Sequence, residues 1–272
     1  MLLFLQRERT LFMDLLKYDM GAGVTAFSTK RGRSGDSYGA FNITHYCGDN
    51  PAHVAACREE LCDALGIEER SLILPRQTHE SETLIVNEEF MLRSDEERCE
   101  LLHGIDAIVT RLPGVCIGVS TADCVPVLLH DSATGTVAAI HAGWRGTVAR
   151  IVEKCIEVMR RECGCEPQGI KAVIAPSIGC DAFEVGDEVY AAFESAGFTM
   201  QEIAVKKEKW HIDLWEANRL QLLHCGLREE NIYIAGVCTH THCDDFFSAR
   251  RLGINSGRIF NGILISHKEI QV

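Results

Sequence analysis

The stretch VPVLLHDSATGTVAAIHAGWRGT, residues 125–147, decides the fold. Val125 to His130 and Thr136 to His141 are short apolar runs, and Asp131-Ser132-Ala133-Thr134-Gly135 between them is a cluster of turn formers. Two such runs joined by such a cluster read as a hairpin of buried strands. The period then changes. Val148, Ile151, Val152, Cys155, Ile156 and Met159 recur at helical spacing, which predicts a helix over 147–163 with Thr147 as its N-cap. A hairpin running directly into a helix points to a mixed α/β fold, not a purely parallel doubly wound sheet.

The flanking sequence continues the pattern. Strands are predicted at Val24–Ser28, Leu72–Leu74, Asp106–Thr110, Val115–Ser120, Lys171–Ala175, Ile232–Val237 and Gly262–Ile265. Helices are predicted at Pro51–Leu65, closed by Gly66, near Val185–Ser195 and at Leu214–His224. Glu88–Glu100 reads as an acidic surface excursion, and Lys206-Lys207-Glu208-Lys209 as a solvated charge run. No linker or repeat divides the 272 residues, so residues 1–272 are expected to form one domain.

Composition narrows the function classes. The chain carries 27 Lys and Arg against 39 Asp and Glu, a net charge of −12. That balance argues against a broad nucleic-acid or anionic-membrane surface, but not against a local basic pocket for a small anion. The apolar Met1–Leu5 run ends at Gln6-Arg7-Glu8-Arg9, too early for a signal or spanning segment. The 13 cysteines are an odd number, and with no sign of export they read as reduced thiols of a cytoplasmic protein. Most of them, Cys57, Cys62 and Cys155 among them, are expected to pack as small hydrophobes.

Reactive side chains gather where strands end, the usual location of sites. Gln77-Thr78-His79 follows one strand, Thr121-Ala122-Asp123-Cys124 lies between two, and His141-Ala142-Gly143-Trp144-Arg145-Gly146-Thr147 joins a strand to a helix. Two imidazoles and a thiolate suit zinc, and three protein ligands leave one position open for chemistry. The same residues also suit loop-capping histidines and a packed cysteine. Arg145, between two glycines, fits a phosphate or carboxylate clamp as well as an ordinary surface arginine. The densest cluster is Cys238-Thr239-His240-Thr241-His242-Cys243-Asp244-Asp245, read locally as the strongest metal candidate, and Arg250-Arg251 beyond it fits an anion or the neighbouring aspartates. Ser28 to Asp36 is a basic loop that fits either a closing lid or a solvated turn.

The ordered set has a wider meaning. Gln77-Thr78-His79, Thr121 to Leu128 and His141 to Thr147 are followed by Ile174-Ala175-Pro176-Ser177-Ile178-Gly179, Phe183-Glu184-Val185-Gly186 and Phe246-Phe247-Ser248-Ala249-Arg250-Arg251. From about Phe27 to Ile265 the chain resembles the YfiH family, also called the laccase-domain or polyphenol oxidase family. The resemblance implies a four-layer α-β-β-α sandwich with mixed sheets and a zinc site at His79, Cys124 and His141. It implies a purine nucleoside enzyme that phosphorolyses adenosine, inosine, guanosine and methylthioadenosine and deaminates adenosine, as a monomer or homodimer. Copper is the alternative metal, in a polyphenol oxidase, although no multicopper set of histidines can be assembled here. A Cys/His hydrolase that edits peptidoglycan precursors is the other alternative. Catalysis is expected at Cys124, Asp123 and Arg145, with Asp123 and then Glu80 as proton shuttles. Arg31, Asn42, Gln77, Thr147, Ser248, Arg250 and Arg251 are expected to hold nucleoside and phosphate.

Overall fold

Val125–Asp131 and Thr136–Ala142 form the hairpin, antiparallel, with Val125 opposite Ala142 and Asp131 opposite Thr136. Every residue of both strands is buried, which explains why neither shows polar alternation. The structure is a computed structural model and describes residues 13–33 and 36–266. The Met1–Leu5 run, Ser34-Gly35 of the basic loop and His267 lie outside the described residues.

In chain order the strands are β1 (Leu15–Tyr18), β2 (Val24–Thr29), β3 (Leu72–Ile73), β4 (Glu82–Val86), β5 (Ile105–Thr110), β6 (Cys116–Thr121), β7 (Val125–Asp131) and β8 (Thr136–Ala142). They continue with β9 (Ile170–Ile174), β10 (Glu184–Val185), β11 (Ala204–Lys206), β12 (Trp210–Ile212), β13 (Ile232–Ile234) and β14 (Ile259–Ile265). One sheet has the order β13-β9-β7-β8-β5-β4, a second β1-β2-β14-β6-β3, and a small third β10-β12-β11. The first two are mixed: β13 and β4 run parallel to their neighbours in one, and β3 in the other, while the remaining pairs are antiparallel.

Alternation along the strands places the cores. Leu128, Val137, Ala139 and Val173 of the six-stranded sheet meet Ala26, Ile117, Val119 and Ile263 of the five-stranded sheet. The opposite neighbours Val127, Leu129, Ala138 and Ile140 face helix Ile151–Cys163 and helix Leu214–His224. On the far side of the second sheet, Phe27, Cys116, Phe260 and Leu264 pack on Cys57, Leu61 and Cys62 of helix Pro51–Leu65. Each fully buried side chain of this size contributes roughly 1.5–3 kcal/mol of transfer free energy. Cys57, Cys62 and Cys155 are buried as expected, and all 13 cysteines of the chain are unbridged.

Helix Pro51–Leu65 has the predicted bounds. Asn50 accepts a hydrogen bond from the Ala52 N–H, Pro51 opens the first turn, and Gly66 closes it in the left-handed region at φ 67°. The helix predicted over 147–163 is different. Helix Trp144–Val148 starts at Gly143, breaks at Arg150 (φ 61°), and restarts as Ile151–Cys163. Thr147 is therefore interior, not an N-cap. The acidic stretch holds two short helices, Glu88–Leu92 and Asp95–Leu101, whose Phe90 and Arg98 are buried, so it is more than a surface excursion. Strands β5 and β6 flank the Leu112-Pro113-Gly114 turn yet belong to different sheets, so that turn carries the chain across the core. No helix among the described residues is long and apolar enough to cross a membrane.

Candidate functional site

The sheets bring three distant residues together. His79 follows β3, Cys124 sits between β6 and β7, and His141 lies at the end of β8. Their ligand atoms all fall within 4.8 Å of one another. The two imidazole rings meet edge-on, with centroids 4.8 Å apart and planes at 76°. His141 is buried, Cys124 half-buried and His79 exposed, so the group opens to solvent on one side. It is the single cluster of three or more His, Cys, Asp or Glu able to share an ion among the described residues.

The organising residue was not foreseen. Asp106, fully buried on β5, accepts a 2.6 Å hydrogen bond from His141 Nδ1. Its two oxygens also accept the consecutive backbone N–H groups of Thr78 (3.2 Å), His79 (3.1 Å) and Glu80 (2.9 Å). One carboxylate thus holds the loop that carries His79 and turns the Nε2 of His141 toward Cys124. A carboxylate behind a histidine is the usual outer partner of a metal ligand. The only hint in the sequence is an Asp inside the apolar run Ile105-Asp106-Ala107-Ile108-Val109.

Electrostatics follow from that arrangement. Burial alone would raise the Asp106 pKa, but the His141 hydrogen bond and charge and the loop N–H groups outweigh it and hold the carboxyl below its ordinary value. Burial likewise disfavours a Cys124 thiolate, yet the charge of His141 and hydrogen bonds from both histidines push the thiol pKa down. His141 is raised in return: burial opposes its charge, and Cys124 and Asp106 overcome that. The site therefore favours a thiolate, the form that binds metal.

Two loop residues bear uncommon backbone angles, His79 at φ 67° and Asp123 at φ 85°. Non-glycine residues in this region persist where surroundings over-determine them. Asp106 does this for His79. Asp123 is held by its own side chain: Oδ1 accepts from Thr239 Oγ1 and Oδ2 from the Arg250 backbone N–H, each at 2.7 Å. These bonds fasten the 238–251 segment beside the Cys124 loop. Gln77 exchanges two hydrogen bonds with the Ser120 backbone (2.9 and 2.8 Å) and so fixes the His79 loop to β6. Gly143 closes the site from a third side, since a Cβ there would stand 3.0 Å from Cys124 Sγ and 3.4 Å from His79 Cδ2.

The expected binding residues divide sharply. Arg145 is exposed, its guanidinium 4.4 Å over the ring of Trp144. Arg250 and Arg251 are also exposed, and Arg250 Nη1 donates to the Glu184 carbonyl. Others are turned inward. Arg31, expected on a basic loop over the substrate, is buried and donates to the carbonyls of Cys243 (2.7 Å) and Asp36 (2.9 Å). Asn42 is fully buried, bonded to Asp49, Thr44 and the Arg258 N–H. Thr147 is fully buried, donating to the Ala142 carbonyl and accepting from Asn218. Ser248 is fully buried and caps helix Ala249–Leu252. All four are turned into the protein in the structure. The Cys238–Cys243 stretch is a series of turns whose thiols and imidazoles belong to no metal-competent group among the described residues; Cys238 Sγ accepts from the Gly179 N–H, and His242 Nδ1 lies 3.0 Å from the Cys238 carbonyl.

A mixed α/β fold with an open two-histidine, one-cysteine group, backed by a buried carboxylate, defines an enzyme whose site can hold a metal. Residues 24–266 match the family model described as multi-copper polyphenol oxidoreductase laccase, and the chain belongs to that family. It is 47% identical over 252 residues to a purine nucleoside phosphorylase of Bacteroides thetaiotaomicron, covering 91% of this chain and 93% of that protein. It is 46% identical over 246 residues to Adenosine deaminase RL5 of an unknown prokaryotic organism, covering 89% and 94%. Among solved structures, Bacillus licheniformis hypothetical protein YfiH superposes with a TM-score of 0.84 at 27% identity, covering 96% of this chain and 98% of that one. YlmD from Geobacillus stearothermophilus gives 0.83 at 27% identity, covering 92% and 94%.

Proposed function

We propose that the protein is a zinc-dependent purine nucleoside phosphorylase that also deaminates adenosine. The carrying observation is the open His79–Cys124–His141 group with Asp106 behind it, in a chain nearly half identical to a purine nucleoside phosphorylase and to an adenosine deaminase. The donors fit zinc: two imidazoles and a thiolate already favoured over the thiol, with one imidazole oriented by a carboxylate. His79, Cys124 and His141 would hold the zinc, which would supply Lewis-acid chemistry and lower the pKa of water at the open position.

The chain's own groups supply the rest. Arg145, Arg250 and Arg251 present guanidinium groups able to hold a phosphate by paired hydrogen bonds. Asp123 spends both carboxylate oxygens on Thr239 and Arg250, so its part is to position the Cys124 loop against the arginine segment. Glu80, exposed beside His79 with its N–H on Asp106, is then the carboxylate for proton transfer to or from the purine. The lowered Cys124 pKa also favours a second reading, a thiol hydrolase with Cys124 as nucleophile and His141 as base.

Assays of the metal-quantified protein with adenosine and inosine, with and without phosphate, test the proposal. Phosphate-dependent release of adenine and hypoxanthine, inosine formed from adenosine, about one zinc per chain and loss of all three products on chelation are expected. Turnover of neither nucleoside by folded, zinc-loaded protein overturns it. Turnover that survives chelation and disappears on thiol alkylation supports the hydrolase.

A further inference from the structure

A sizeable cavity lies away from the metal-competent group. It measures about 780 Å³ and lies against the edge strand β3, between helix Pro51–Leu65 and helix Asp95–Leu101. None of its lining residues is His79, Cys124 or His141. In a chain of net charge −12 its wall carries Arg58, Arg70, Arg76, Arg98, His45 and His103. Only two acids join them, Glu69, paired with Arg58 at 2.9 Å, and Asp95, 3.6 Å from Arg98. Arg70 and Arg76 have no carboxylate at ion-pair distance among the described residues, and Arg70 Nη2 donates to the Met91 carbonyl. The remaining wall is apolar or aromatic, with Leu72, Leu74, Leu102 and Tyr46.

Two atoms of this cluster stand out. Arg58 Nη1 and Arg98 Nε are buried and have no hydrogen-bond partner. The Arg98 side chain is only 8% exposed, with one other guanidinium nitrogen on the Arg70 carbonyl. Both atoms are closed off even from the cavity, so the donors a ligand can reach are the outer guanidinium nitrogens of the wall, above all those of the exposed Arg70 and Arg76. Burial first, and then the charge of Arg70, lowers the Arg98 pKa. Burial first, and then Arg58 and Arg76, lowers that of His45.

We propose that this cavity is a second ligand site, distinct from the metal-competent group, and that it takes a small phosphate monoester with an apolar or aromatic body, of nucleoside monophosphate size. The arginines take the phosphate, since guanidinium groups match its oxygens by paired hydrogen bonds. Tyr46 and the leucines take the body. The cavity wall also touches the loop of the first site. Tyr46 Oη bonds to the Pro75 carbonyl and Gln77 Oε1, and Arg76 pairs with Leu102 and Gly104. Gln77 is two residues before His79, so occupancy of the cavity bears on the loop that carries one metal ligand.

This inference stands apart from the catalytic proposal, because it is tested by binding. The probes are adenosine 5′-monophosphate, inorganic phosphate and, as control, adenosine, titrated calorimetrically into the full-length, metal-loaded protein. The variants are Arg58→Gln, Arg70→Gln and Cys99→Trp; Cys99 is an exposed lining residue whose replacement fills the cavity. Binding of the monophosphate should fall at least about tenfold in each folded variant, the loss of a hydrogen bond to a charged group. It should persist in Cys124→Ala, which disables the metal group. Equal affinity for inorganic phosphate would make free phosphate the occupant of the same site; tighter binding of the monoester would make the body part of recognition. Binding unaltered by Arg70→Gln and Cys99→Trp, binding lost in Cys124→Ala, or no heat at concentrations up to about 10 mM would overturn the proposal.

Discussion

Two regions of the molecule hold histidine and cysteine in quite different ways. Cys238 to Cys243 packs two cysteines and two histidines into six residues, yet among the described residues they belong to no ion-competent group. His79, Cys124 and His141 are far apart in the chain and converge within 4.8 Å. Local density is not what makes such a group. Convergence here depends on the antiparallel pairing of β5 with β8, which places Asp106 near His141, and on one buried carboxylate that also gathers three loop N–H groups. In the 238–251 segment the anchoring carboxylate, Asp123, holds Thr239 and the Arg250 N–H and none of the imidazoles or thiols.

The sharpest way to break this contrast is to remove a ligand. Cys124→Ala should cut bound metal from about one equivalent to a small fraction and lower nucleoside turnover by about 10³-fold or more, read by metal analysis and single-turnover kinetics. Asp106→Asn should come next. It keeps the shape but removes the charge behind His141, so metal affinity should fall about 10–100-fold. It also weakens the hold on Thr78, His79 and Glu80, and thermal unfolding should show a loss of about 2 kcal/mol. If Asp106→Asn binds metal as tightly as the parent, the carboxylate is not the organiser argued here.

Much of the fold was legible in the residues, but local density pointed to residues 238–245 as the strongest metal candidate, and the group that the structure brings together is His79, Cys124 and His141. The 125–142 hairpin and helix Pro51–Leu65 could be read closely because turn formers, Pro51 and Gly66 mark their ends. The break at Arg150 could not, since arginine carries no signal for a left-handed backbone. The ligand types at 79, 124 and 141 were visible, but spacing left their grouping open; the ordered motifs and family resemblance supplied it. Asp106 was missed because an acid in an apolar strand reads as a flaw until its four donors are seen together. Arg31, Asn42, Thr147 and Ser248, expected among the ligand contacts, lie turned into the protein, and residue type alone does not tell a buried polar side chain in a loop from one that faces a ligand.

Smaller effects sharpen the comparison. Arg145→Gln should raise KM for phosphate about tenfold in phosphorolysis while leaving deamination, which needs no phosphate, within about twofold. A parallel loss in both reactions would mean that Arg145 orients the nucleoside instead. Gly143→Ala should then reduce metal affinity about threefold to tenfold with the fold intact, because φ of −60° suits alanine and the conflict is purely with Cys124 Sγ at 3.0 Å.

The smallest expected effect is the most exacting for the contrast between the two regions. His242 is exposed, and His240 and Cys243 are only partly covered; none belongs to an ion-competent group among the described residues. The combined replacement His240→Ala, His242→Ala and Cys243→Ser should leave metal content at the parent value. The His242 contact to the Cys238 carbonyl is local and solvent-accessible, so stability should change by no more than about 0.5–1 kcal/mol. The Arg31 bond to residue 243 uses the backbone carbonyl and survives the change of side chain. Metal analysis of this triple variant beside Cys124→Ala gives the decisive pair. Loss of a full equivalent from the triple variant would place metal where the residues are densest, and would undo the argument that buried anchoring selects the group.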